Sequence, residues 1–155
     1  MPNEIKAKYG TSTVMTSTLA SLATSTVGVG RQSTMVDNSV NKFQRVHVYF
    51  LVTTGTTPTV DKSIRFFLLK GDDPTANIRT DNAGATDAGL TVVTADQVYG
   101  VATDATSDKG YRGTFAIENP GPDWGLAVVH DTGVNLNSTG GNHVLRFVGE
   151  NPEVQ

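Results

Sequence analysis

The sequence predicts an all-β chain folded as a β-sandwich, compatible with a jelly roll, with an extended N-terminal arm over residues 1–40 and a body over 41–155. Three observations lead there. Apolar residues recur at a period of two in short runs, clearest in "RVHVYFLVT" (45–53) and "SIRFFLL" (63–69). Gly, Pro and Asn separate those runs at close intervals. No long amphipathic helix is visible, and the uncharged polar residues that dominate are Thr, Ser, Gly and Asn, which suit strands and turns.

Taken in order, "MPNEIKAKYG" places Ile5, Ala7 and Tyr9 on alternate positions, as a strand would. "TSTVMTSTLASLATSTVGVG" follows without a charge and reads as one strand over Thr13–Ser21; a helix over Met15–Ala23 would be weak, given so many hydroxyl side chains. "RQSTMVDNSVN" adds a short strand ending in an Asp37-Asn38 turn. In "FQRVHVYFLVTTG", Val46, Val48, Phe50 and Val52 share one face, and Arg45, His47, Tyr49, Leu51 and Thr53 the other. "TGTTPTVD" closes that strand and "KSIRFFLLKG" returns, with Ile64, Phe66 and Leu68 opposite Arg65, Phe67 and Leu69. Apolar residues on both faces of these two strands imply a sheet whose second side is partly covered. Gly71–Gly89 is nearly bare of large apolar residues and reads as a long loop. Strand patterning resumes in "LTVVTADQVYGVATD" and over Tyr111–Glu118, which Asn119-Pro120-Gly121-Pro122 stops. The chain closes with strands over Gly125–His130 and His143–Val148, read as a hairpin.

The 155 residues suffice for one core. With no cysteine, disulfides and thiolate metal sites are excluded. No stretch is long enough for a membrane span and no signal peptide is evident, so no membrane partner is expected. A net charge of −3 argues against binding nucleic acid through overall charge. The charge divides unevenly, +4 over residues 1–80 and −7 over 81–155. Either this is a solvated surface, or the chain has complementary ends suited to contact between neighbours.

The search for chemistry returns no catalytic residue, metal or cofactor. His130, Asp131 and His143 flank a Gly/Asn-rich loop, where a hairpin would bring them close, but zinc needs further ligands that are absent nearby. Asp72-Asp73 and Asp104…Asp108 lack the order of a dedicated calcium loop. No nucleophile motif occurs. "NST" at Asn137 matches a glycosylation sequon. Trp124 is either a core plug or an exposed stacking platform.

What remains is contact. The neutral arm, with Val14, Met15, Leu19 and Leu22 spaced among hydroxyls, is suited to adding a strand to a neighbour; the alternative is that it forms the first strand of its own sandwich.

Four segments resemble the small virion proteins of tailed bacteriophages encoded among head genes: "IKAKYGTS" (Ile5–Ser12), "TLASLA" (Thr18–Ala23), "GRQSTMVDN" (Gly30–Asn38) and "WGLAVVHDTGVNLNSTGGNH" (Trp124–His143). Gly71–Asp108 matches least and transfers nothing. The resemblance implies a head decoration, or cement, protein on the exterior of the capsid. Its partner would be the major capsid protein, and it would form a homo-oligomer, a trimer ahead of a dimer. The expected contacts are Ile5, Tyr9, Val14, Met15, Leu19, Leu22, His47, Tyr49 and Leu51. A tail, baseplate or glycan-binding module, and a wall hydrolase, are the rival expectations.

Overall fold

Side-chain alternation sets the strands, and the computed structural model describes them over residues 4–72, 86–92 and 95–154. In β5 (Arg45–Thr53), Val46, Val48, Phe50 and Val52 are buried, whereas Arg45 and Tyr49 are exposed and His47 and Leu51 half-buried. β6 (Lys62–Gly71) buries Ile64, Phe66 and Leu68 in the same manner.

The strands form two antiparallel sheets. In the first, β1 (Ile5–Tyr9) and β2 (Thr13–Val14) both pair with β11 (Val144–Val154), followed by β5 and β9 (Gly110–Glu118). In the second, β7 (Gly89–Thr91), β3 (Val29–Gln32), β10 (Asp123–His130), β6 and β8 (Asp96–Thr103) lie side by side, and β4 (Val36–Asp37) continues β3 along β10. With β1–β2 and β3–β4 each taken as one interrupted strand, and the short β7 set aside, successive strands alternate between the sheets, except that β6 and β8 pair within one. The resulting orders, β2-β11-β5-β9 facing β3-β10-β6-β8, are those of a jelly roll.

The core lies between the sheets. Phe50 of the first meets Phe66 of the second at 4.6 Å between ring centroids, and Phe115 reaches Phe66 at 5.4 Å. Tyr99 stacks on Phe115 at 5.0 Å. Trp124 is fully buried and meets Phe147 edge-on at 5.1 Å, so it is a core plug and no exposed platform.

Two expected hairpins are absent, for one physical reason. β5 and β6 are consecutive, yet they belong to opposite sheets, as do β10 and β11. Both lateral edges of β5 are already taken, by β11 and β9, so the "TGTTPTVD" turn arches across the core. The Gly/Asn-rich segment before β11 arches likewise. The long-loop expectation over Gly71–Gly89 falls largely on residues 73–85, which lie outside the described residues, as does Asp73.

The free arm also requires correction. Residues 5–15 form an edge strand of the chain's own first sheet: β1 pairs with Glu150–Val154, Gly10 N–H donates to Gly149 O, β2 pairs with Arg146 and Phe147, and Met15 N–H donates to Leu145 O. The expected strand over Thr13–Ser21 stops at Val14, and the chain then leaves the sheet. Met15, Leu19 and Leu22 turn inward and are buried at 2%, 1% and 9% exposure, so they fill this core and are not available to a neighbour. After crossing from one sheet to the other, the segment pairs with β10 through β3 and β4. Residues 5–37 therefore strap the two sheets together.

On its outer side the second sheet is partly covered. Leu69, Ala127 and Val129 point away from the core and are still fully buried. β3 lies so close to β10 that a Cβ on Gly30 would come within 2.3 Å of Val128 O and 2.8 Å of Val129 Cγ2. Gly30→Ala is expected to cost about 1–3 kcal/mol, because the obstructing atom is backbone and cannot rotate away. A urea melt of the variant measures it.

Candidate interaction surface on the first sheet

The outer face of the first sheet is open, and strand register determines which side chains share it. Directly opposed residues in antiparallel strands project to the same side. Since Val46, Val48, Phe50 and Val52 face the core, Arg45, His47, Tyr49 and Leu51 face outward together with their partners. One row across the sheet is Val144, Leu51 and Arg112; the next is Val14, Arg146, Tyr49 and Thr114. Below these come Val148, His47 and Ala116, then Tyr9, Glu150, Arg45 and Glu118. Beyond the start of β5 the face continues on β1 and β11 alone, with Ala7 beside Pro152 and Ile5 beside Val154.

Six of the nine expected contact residues thus share one surface: Ile5, Tyr9, Val14, His47, Tyr49 and Leu51. Met15, Leu19 and Leu22 lie on the other side, in the core. Ile5, Tyr9, Val14 and Tyr49 are exposed, and the Tyr9 ring sits 5.9 Å from that of His47.

The charges on this face are unequally engaged. His47 Nε2 lies 2.6 Å from Glu150 Oε2, and Arg45 pairs with Glu118 while its Nη1 stands 3.7 Å from Glu150 Oε1. Those acids hold the Arg45 guanidinium in its charged form, with its pKa raised chiefly by the Glu118 hydrogen bond. Arg146, directly opposite Tyr49, and Arg112, directly opposite Leu51, make no ion pair among the described residues. An exposed tyrosine with one guanidinium directly opposite and a second in the adjacent row, neither ion-paired among the described residues, suits a partner surface that is apolar at its centre and acidic at its rim. Arg112, Arg146, Val144 and Val148 were not among the expected contacts. The period-two pattern of β9 and β11 assigns each a face, but nothing local says which strands lie beside β5.

The histidines flanking the Gly/Asn-rich segment do not make an open site. His130 is fully buried; its Nε2 donates to Leu22 O at 2.9 Å and its Nδ1 lies 3.0 Å from Thr132 Oγ1. His143 donates from Nε2 to Asn137 O at 2.8 Å, and its Nδ1 accepts the Thr53 N–H. Burial lowers the pKa of both, which keeps them neutral. Asp131 Oδ1 instead accepts the Ser63 N–H at 2.8 Å. Each imidazole is a fastener: His130 ties the N-terminal strap to the end of β10, and His143 ties the arch to β5.

The acidic turns are similarly used within the fold. Asp104 accepts from Lys109, Thr106 and Tyr111, and its carboxyl pKa is lowered mainly by the Lys109 contact. Asp108 Oδ1 accepts from Asn137 Nδ2 at 2.7 Å, which also engages the sequon asparagine. Among the described residues, no group of three or more His, Asp or Glu side chains is placed to hold a metal ion, and no helix is long and apolar enough to cross a membrane.

A cleft of about 580 Å³ opens where the edge strand passes the β4–β5 connection, lined by Tyr9, Phe43, Phe147, Asp37, Asn41 and Asn151 among others. Its floor is apolar and its rim carries amide and carboxylate groups. No family model matches the chain, and no curated protein and no solved structure is significantly similar to it.

Proposed function

We propose that this chain is a bacteriophage virion protein that decorates the outside of the assembled head, with the outer face of its first sheet bearing on the major capsid protein. The observation that carries the reading is the exposed Tyr49 with Arg146 directly opposite and Arg112 in the adjacent row, neither arginine ion-paired among the described residues, on the open face of a sandwich whose opposite outer face is partly covered. The four segments that resemble small phage head proteins support it, and jelly rolls recur in viral capsid domains, a fold-level analogy. Such a protein acts by mass action: binding the assembled shell more tightly than its free subunits stabilises the shell.

The test adds purified protein to heads that lack it and measures stoichiometric retention and resistance to heating. Retention with a raised melting temperature of the heads is expected. Tyr49→Asp and Arg146→Glu should each weaken retention about tenfold or more, while leaving the protein's own melting temperature nearly unchanged, because both side chains are exposed. Absence of retention overturns the reading; retention that ignores both substitutions overturns the assignment of the face.

The cleft beside Tyr9 and Phe43 favours a second reading, a glycan-binding module of the virion, since its size and its aromatic floor with an amide rim suit a saccharide. Saturable binding on a glycan array that Phe43→Ala abolishes would support that reading over decoration.

A further inference from the structure

Both ends of the described chain meet in a two-stranded ribbon that runs past the body. Opposite Glu150, β5 begins at Arg45; beyond that point Asn151–Val154 of β11 pair with β1 alone. Every residue of β1 is exposed, Ile5 at 73%, and Val154 beside it is exposed at 62%. Among the described residues, β1 has no strand on its other side.

Backbone direction shows which groups lie on that free edge. Gly10 N–H donates to Gly149 O, and the register then runs without a break from Tyr9↔Glu150 to Ile5↔Val154. Hydrogen-bonded and non-hydrogen-bonded pairs alternate in an antiparallel ladder. Gly10, Lys8 and Lys6 therefore bond to β11, and the N–H and C=O groups of Tyr9, Ala7 and Ile5 point outward, with no proline among them. Exposed edges are commonly guarded by lysine, and Lys6 and Lys8 would do so here if they stood alone. They are matched by Glu4, 3.1 Å from Lys6, and Glu153, 2.7 Å from Lys8, so the ribbon carries both signs.

We infer that the free edge of β1 pairs antiparallel with the same edge of a second copy of this chain. The occupant follows from charge and register together. A two-fold axis perpendicular to the sheet must place residues of the same parity opposite each other. With Ile5 opposite Tyr9 of the other copy, Lys6 opposes Lys8; with Ile5 opposite Ala7, Lys6 opposes Lys6. With Ile5 opposite Ile5, each Glu4 opposes a Lys6, and the outward backbone groups of the two Ile5 residues bond to one another. The Ile5–Ala7 register does set each Glu4 against a Lys8 but puts Lys6 against Lys6 on the axis, so only the last register of the three brings opposite charges together without opposing two lysines. It also leaves the outer faces of the two first sheets side by side and pointing in one direction, so the pair presents a doubled contact surface. This inference is independent of what that surface binds.

The experiment is sedimentation equilibrium of the full chain over a range of concentrations. Wild type is expected to be in reversible monomer–dimer equilibrium, because one short strand pair buries less than a stable interface requires. Glu4→Lys places lysine against lysine, and Lys6→Glu places glutamate against glutamate; each alone should weaken the dimer about tenfold. Mixing the two variants should restore association as a heterodimer, since positions 4 and 6 are both lysine in one chain and both glutamate in the other, and the register sets them face to face. The double variant, Glu4→Lys with Lys6→Glu, should dimerise as wild type does. These side chains are exposed, so circular dichroism should be the same for all four proteins. A monomer at every concentration, a trimer, or a dimer insensitive to the charge changes would each overturn the inference.

Discussion

Removing residues 1–24 should abolish the cooperative thermal unfolding transition of this protein, not merely detach it from a partner. The deleted stretch contains β1 and β2, an edge of the first sheet, together with Met15, Leu19 and Leu22, which are buried in the core. Truncation of one such side chain to alanine costs about 2–5 kcal/mol. Three of them approach or exceed the roughly 5–15 kcal/mol by which a domain of ordinary stability is folded. The loss of backbone bonds from Leu136 N–H to Leu22 O and from Ser21 N–H to Asn137 O would free the arch before β11 as well. A calorimetric scan and the near-ultraviolet signal of Trp124, buried against Phe147, would measure the effect. Ile5→Ser, on the same segment but on the exposed ribbon, should change stability by no more than about 0.5 kcal/mol. A truncated chain that melts cooperatively near the wild-type temperature would show that the strap contributes little.

The second large effect is acid sensitivity centred on His130 and His143. Burial lowers the pKa of both, with the neighbouring His143 adding to the effect at His130 and Asp131 opposing it. The unfolded chain titrates these imidazoles near their ordinary value of about 6.5. Below that pH the unfolded state binds protons that the folded state excludes, so stability falls as pH is lowered from about 6.5 towards the depressed folded values, and is unaffected by these groups above it. Each pH unit inside that window costs about 1.4 kcal/mol per imidazole. Asp104 acts in a separate and more acidic window, because its lowered pKa means that its contribution is lost only on falling below the usual carboxylate range near 3.8.

Melting temperatures measured from pH 8 to pH 5 should therefore be level and then decline. In His130→Gln the decline should be shallower, at the expense of a lower plateau. The plateau drops because glutamine cannot reproduce both the bond to Leu22 O and the contact with Thr132 Oγ1, and a buried group left without its partner costs about 1–3 kcal/mol. A His130→Gln profile parallel to wild type would remove this histidine from the explanation. Were protonation to occur, the proton would go to Nδ1, so the contact with Thr132 Oγ1 would change first, while the bond from Nε2 to Leu22 O favours the charged ring and would persist.

Much of the local structure was legible in the residues. The alternation Val46, Val48, Phe50, Val52 against Arg45, His47, Tyr49, Leu51 correctly sorted β5 into inner and outer faces, because a pleated strand with one buried side must repeat every two residues. The Asn119-Pro120-Gly121-Pro122 stop after β9 was equally plain, since Asn119 and Gly121 adopt positive φ there and proline cannot continue a ladder. The sandwich itself followed from counting such runs.

The candidate surface was legible only in pieces. His47, Tyr49 and Leu51 were assigned one face from within a single strand, and Ile5 and Tyr9 another. That these two sets are continuous depends on β11, which pairs with β5 on one side and with β1 on the other. Arg146 and Arg112 become neighbours of Tyr49 and Leu51 through pairings that span more than sixty residues of chain. No local periodicity encodes those distances.

By itself the sequence determined which residues of β5 and β6 alternate and where β9 stops, because these depend on side-chain polarity and backbone freedom within a few residues. It did not reveal that the strand begun at Thr13 ends at Val14 or that β11 runs on to Val154. Which strands are neighbours was decided only in the tertiary structure. There, the need to cover both sheets turned two apparent hairpins into arches across the core and drew Met15, Leu19 and Leu22 inward. The physical reason is that strand alternation reports only that a side chain is covered. Whether its cover comes from the same chain or from another molecule depends on long-range closure, which in this fold is completed by the N-terminal strap.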